Sequence, residues 1–166
     1  MTDQAISLQN QVKAARQNAS PLRSRTGGTH ATAPDLTIRI VGAMLALAVA
    51  TVHVADQGGI TALATPDWIG WSYRLVEVGG ILTALALLVP QRFLIGPVWL
   101  RWATGILLGA GPFIAYIASR TIGLPGDPGD VGNWGYWVGT LSLLVEVALV
   151  MLSVTMLRTL RRTTIS

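Results

Sequence analysis

The sequence contains no cysteine, which excludes disulfides, thiolate catalysis, iron–sulfur clusters, c-type haem attachment and cysteine-ligated zinc. Charge is scarce as well. Only 12% of the 166 residues are Asp, Glu, Lys or Arg, about half the share usual in a water-facing domain. Histidine is limited to His30 and His53, and only His53 lies in an apolar run; a b-type haem that needs two axial ligands is therefore disfavoured. No H-x-E, HExxH, GxSxG or P-loop pattern occurs. The hydroxyls of Ser142 and Ser153, set in apolar sequence, have no neighbouring base. An independent enzyme is not expected, only a subunit of a larger one at most, and no cofactor or metal site is expected.

What the chain has is apolar sequence: 51% of its residues are hydrophobic and its mean hydropathy is +0.53. Four runs, at about 36–55, 69–89, 99–122 and 134–157, are each long enough to cross a hydrocarbon core as a helix. No period-two alternation of strand length supports a β-barrel. The expectation is an all-α polytopic membrane protein, a four-helix bundle spanning 36–157. It carries a polar tail at 1–35 and a basic C-terminus at 158–166. The tail is rich in Ala, Gln, Ser, Thr and Gly and free of aromatics, so it cannot bury enough apolar surface to fold alone. Ala48-Val49-Ala50 has the form of a leader cleavage site, but nearly forty residues precede it, too many for an ordinary signal peptide, and the tail is read as mature sequence.

The basic residues set an orientation. Lys13, Arg16, Arg23, Arg25 and Arg39 lie at the start, Arg92 and Arg101 around the middle loop, and Arg158, Arg161 and Arg162 at the end. The other two loops carry Asp56 and Asp67, then Asp127 and Asp130 with Arg120 alone. Because Lys and Arg accumulate on the cytoplasmic side, both termini are expected in the cytoplasm of a cell-membrane protein. The formal net charge of +4 then reflects contact with anionic lipid and not with nucleic acid. The tryptophan pairs Trp68/Trp71, Trp99/Trp102 and Trp134/Trp137 open spans two, three and four, where headgroups favour indole rings.

Ionisable groups inside the spans mark the candidate functional positions. Glu146 is about a dozen residues into span four with no Lys or Arg near it in sequence. A carboxylate there is expected to be neutral or paired with another helix. It is a proton carrier, ion ligand or quinone contact, or a hydrogen-bonding group that fixes helix packing. Arg74 and Glu77 share a helix face at i,i+3 and form either an ion pair under the headgroups or, with His53 and Arg120, a polar pocket open to the outer side. Asp56, three residues after His53, is placed to orient the imidazole.

Small residues mark candidate packing faces: Gly105 and Gly109 form a GxxxG, Gly79 and Gly80 are adjacent in span two, and Pro112 is expected to bend span three. The tetrapeptide Leu75-Val76-Glu77-Val78 returns as Leu144-Val145-Glu146-Val147, each copy following a WxxW. The repeat arises either by chance in apolar sequence or from duplication into two parallel hairpins.

The string Ser119-Arg120-Thr121-Ile122-Gly123-Leu124-Pro125-Gly126, followed by an acidic loop and a span with a buried Glu, resembles a family of small four-span membrane proteins common in actinobacteria. That resemblance implies the four-span fold and no function. Glu77-Val78-Gly79-Gly80 ahead of a Leu/Ala run is similar to DoxX-like four-helix proteins, which implies a link to redox or terminal-oxidase complexes. The leading expectation is a non-catalytic membrane subunit or scaffold, packed through its glycine faces against other membrane subunits or itself. Two alternatives remain: a small oligomeric transporter or channel using Glu146 and the outer polar cluster, and a quinone-binding redox protein.

Overall fold

A computed structural model of the chain describes residues 35–93 and 95–165; the expectations for the tail at 1–34 lie outside them. Among the described residues the protein is an all-helical bundle with four long α-helices: α1 Leu36–Asp56, α2 Asp67–Leu88, α3 Val98–Thr121 and α4 Trp137–Ile165. Each is long and apolar enough to cross a membrane, as befits a multi-pass membrane protein. Local chemistry sets the helix starts. Asp35 caps α1 by accepting from the Thr37 N–H at 3.4 Å. Extended prolines, Pro66 and Pro97, precede α2 and α3. At the end of α2, Val89 is extended ahead of Pro90, whose ring disfavours a helical residue before it.

Two boundaries depart from the sequence expectation. The fourth helix begins at Trp137 and not at 134, because Gly132 takes a positive φ of 80° and turns the chain, its N–H donating to the Arg120 carbonyl at 2.9 Å. At its other end α4 runs on to Ile165. The basic residues Arg158, Arg161 and Arg162 thus belong to the helix, where cations suit the C-terminal end of its dipole. The third helix is continuous through Pro112.

The helices are joined in sequence around a ring. α1 packs on α2 and α3 on α4, and α1–α4 and α2–α3 contacts close it. Alternation of direction puts the loops at 57–66 and 122–136 at one end. The other end has the start of α1, the loop at 89–97 and the end of α4. This second, basic end is solid. Ala43, Ala46, Val49, Ala84, Leu87, Trp102, Leu108 and Leu149 form one buried cluster. Trp102 is 1% exposed and covers Gly42, so it is core and not part of a headgroup belt, whereas Trp71, Trp99 and Trp137 are more than half exposed.

Within lipid, helix association depends on close packing more than on the hydrophobic effect, and the glycines provide it. A Cβ on Gly80 would stand 2.7 Å from the Ala46 carbonyl oxygen in α1, and one on Gly109 2.7 Å from the Glu146 carbonyl oxygen in α4. Gly105 faces Ser153 in α4 in the same way, while Gly79 looks toward Leu108 of α3 at 3.6 Å. Gly80, Gly105 and Gly109 are thus taken up inside the bundle, while Gly79 is only partly covered. At the basic end, Arg39 donates to the carbonyls of Leu87 (2.6 Å), Leu88 (2.9 Å) and Val89 (2.9 Å), and Arg101 to Val89 (3.2 Å) and to the Gln91 side chain. Two arginines that mark orientation in the sequence therefore also satisfy the orphan carbonyls at the end of α2.

Candidate functional site

The loop end of the bundle is hollow. A cavity of about 390 Å³ lies between the helices there and reaches down to Glu146. Its floor is built by α1 and α4. Helical side chains lean toward their own N-terminus, so Glu146 points back along α4 to the loop end, where Ser142, one turn earlier, donates to Oε1 at 2.5 Å. Glu146 is 1% exposed, and its Oε2 has no hydrogen-bond partner among the described residues. His53 on α1 is buried beside it. Its Nδ1–H donates to the Val49 carbonyl at 2.9 Å, which leaves Nε2 facing Glu146 Oε1 at 3.8 Å, too far for a hydrogen bond.

Above the floor, the walls are aromatic and acidic. Tyr73 on α2 packs against the His53 ring with centroids 5.3 Å apart and donates to Asp56 Oδ2 at 2.5 Å. Asp56 thus serves Tyr73, and the imidazole is oriented by a backbone carbonyl instead. The Tyr136 phenol, just ahead of α4, is pushed up to about 12 by its interaction with the same Asp56 and by burial, so it remains neutral throughout the ordinary pH range. Arg120, buried at the end of α3, is ion-paired with Asp130; its guanidinium carbon stands 4.7 Å over the Tyr116 ring and 5.9 Å from that of Tyr136. Arg120 Nε makes no hydrogen bond among the described residues. Gly139 admits the Tyr116 ring to this position, since any Cβ there would collide with it. Across the mouth, Trp68 Nε1 donates to the Pro125 carbonyl at 3.1 Å and ties the two loop segments together.

The five ionisable positions singled out in the sequence fall into two groups. His53, Arg120 and Glu146 line the cavity. Arg74 and Glu77 do not: Arg74 Nη1 donates to Glu77 Oε2 at 2.6 Å, Arg74 also to the Ala62 carbonyl, and Gln57 to the other Glu77 oxygen. Both Glu77 oxygens are thereby used, while Gln57 Oε1 makes no hydrogen bond among the described residues. Sequence reading missed Tyr73, Tyr116, Tyr136 and Asp130 as wall residues, and it considered Ser142 only as a nucleophile. The i−4 spacing of Ser142 from Glu146 was a usable signal, because it puts the two on one helix face. The tyrosines gave none, since they come from three separate segments. Among the described residues no group of three or more His, Asp or Glu side chains is placed to hold a metal ion.

Comparison with known proteins finds no matching family model, no matching curated protein and no matching solved structure.

Proposed function

We propose that this protein binds a small molecule inside the membrane-spanning bundle, in the cavity that descends from the loop end to Glu146. The observation that carries the reading is the pairing of a cavity of about 390 Å³, within the size range of small-molecule sites, with a deeply buried glutamate lining its floor, one oxygen of which has no hydrogen-bond partner among the described residues. A purely structural glutamate would have its hydrogen-bonding capacity used by the bundle, as Glu77 does. Gly80, Gly105 and Gly109 are covered by neighbouring helices of the same chain, so a scaffold role would have to use another face.

We also place the loop end outside the cell membrane and both termini in the cytoplasm. This is supported by the gathering of Arg39, Arg92, Arg101, Arg158, Arg161 and Arg162 at the opposite end. One experiment addresses both statements, and the lack of native cysteine makes it free of background. In intact cells, a charged, water-soluble methanethiosulfonate should modify Ser142→Cys at the cavity floor and Thr61→Cys in the loop. It should spare Leu144→Cys on the exposed apolar face, and reach Arg92→Cys only after permeabilisation. Reaction at Thr61→Cys without reaction at Ser142→Cys would mean that the cavity is closed to water and would overturn the binding reading.

A further inference from the structure

The composition of the cavity wall specifies the charge of its ligand, an inference that rests on the binding reading above and extends it. Four carboxyl groups line the space, Asp56, Asp127, Asp130 and Glu146, against one guanidinium, that of Arg120. The guanidinium is already matched by Asp130, and Asp56 is engaged by Tyr73 and Tyr136. At the floor, Glu146 remains with an unpartnered oxygen and Ser142 as its hydrogen-bond donor. His53 at the floor is held by the Val49 carbonyl and stands 3.8 Å from Glu146, beyond hydrogen-bond range; in a space of low dielectric an anion there would find no paired cation, whereas a cation would favour the ionised form of the carboxyl group. A cation meets attraction.

The walls add to this. Trp68, Tyr73, Tyr116 and Tyr136 supply aromatic surface, and ring faces attract cations most strongly where water is excluded. Arg120 sits against Tyr116 and Tyr136 in this way already. A bare metal ion does not fit the same site: it needs several oxygen or nitrogen ligands converging on one point, and no such group exists among the described residues. The volume also exceeds what a single ion fills, and the aromatic surface suits an apolar body.

We propose that the cavity binds a small organic cation, its ammonium group against Glu146 at the floor and its apolar part between the aromatic walls. Recognition is thus by one buried carboxyl group and by ring faces, a combination that selects charge and approximate size over exact shape.

The test uses the full chain in nanodiscs of zwitterionic phosphatidylcholine, with benzyltrimethylammonium as the cationic probe and benzyl alcohol and benzenesulfonate as neutral and anionic probes, measured by calorimetry. The cation should bind and benzenesulfonate should not. Glu146→Gln should weaken the cation by about thirtyfold or more, the effect of removing one partner of a buried charge pair, and Glu146→Asp, which keeps the charge, should weaken it less. Thermal unfolding of both variants checks that the bundle is intact. Equal binding of the three probes, or no change in Glu146→Gln, would overturn the cation assignment and leave the cavity reading in place. Displacement of the probe by an equal concentration of sodium chloride would overturn the organic-ligand assignment in favour of an inorganic ion. Absence of binding by every probe would overturn the assignment too, and the reactivity of Ser142→Cys would then show whether the cavity reading falls with it.

Discussion

Glu77 and Glu146 stand in the same tetrapeptide, Leu-Val-Glu-Val, ten and nine residues beyond the first residue of α2 and α4, so both lie about three turns below the loop end. Their surroundings differ completely. Glu77 has an arginine one turn earlier on its own helix and a glutamine from the end of α1, and its two oxygens are both used. Glu146 has a serine one turn earlier and a histidine beyond hydrogen-bond range, lines a cavity, and has one oxygen without a hydrogen-bond partner among the described residues. Register decides the outcome: Arg74, three residues before Glu77, meets its charge, whereas the same place before Glu146 holds Leu143, and Ser142, four residues before, supplies only a hydroxyl donor. If the two hairpins descend from one ancestor, the divergence between them is at the positions flanking the glutamate more than at the glutamate.

The comparison breaks most sharply on neutralising each carboxylate. Glu77→Gln leaves the half-buried Arg74 without its counter-charge and should cost about 3 kcal/mol, whereas Glu146→Gln keeps a group able to accept from Ser142 and should cost less than about 1 kcal/mol. Unfolding in mixed micelles of increasing dodecyl sulfate, followed by tryptophan fluorescence, measures both. Equal losses would erase the distinction between a closed and an open site.

A smaller effect sharpens the same contrast at the level of packing. Gly109→Ala drives a methyl group against the Glu146 carbonyl oxygen and Val150 and should cost about 2 kcal/mol through overpacking at the α3–α4 contact. Gly79→Ala meets only ordinary contact with Leu108 and should be neutral or stabilising by up to about 1 kcal/mol through helix propensity. The same unfolding assay applies, and a loss at Gly79 as large as at Gly109 would mean that the α2–α3 contact is tighter than the geometry states.

The smallest expected change lies at the solid end. Arg39→Gln removes donors to three carbonyls at the end of α2, but Leu88 is exposed there and Arg39 only half-buried, so water can replace part of what is lost and the cost should be about 1 kcal/mol. Hydrogen exchange at Leu87–Val89 gives the local readout. Protection unchanged in that segment would mean that the arginine does not hold the helix end.

The four helices, their approximate limits and the gathering of arginines at one end were legible in the sequence because each depends on short-range properties: runs of apolar residues, prolines before helices, and charges next to span ends. The start of α4 was misread by three residues because a left-handed glycine and its bond to the Arg120 carbonyl, not hydropathy, set the turn. The assignment of Trp102 to a headgroup belt failed for a similar reason, since its place over Gly42 of another helix cannot be read from its own neighbours. The sequence alone determined that Glu146 lies within a span without a basic neighbour and that Arg74 stands one turn from Glu77. Only the tertiary structure decided that the first faces a cavity beside His53 while the second pair closes on Gln57. The physical reason is that a buried polar group takes its character from whatever the adjacent helices bring within about 4 Å, and those helices meet through glycine contacts set by packing across the whole bundle.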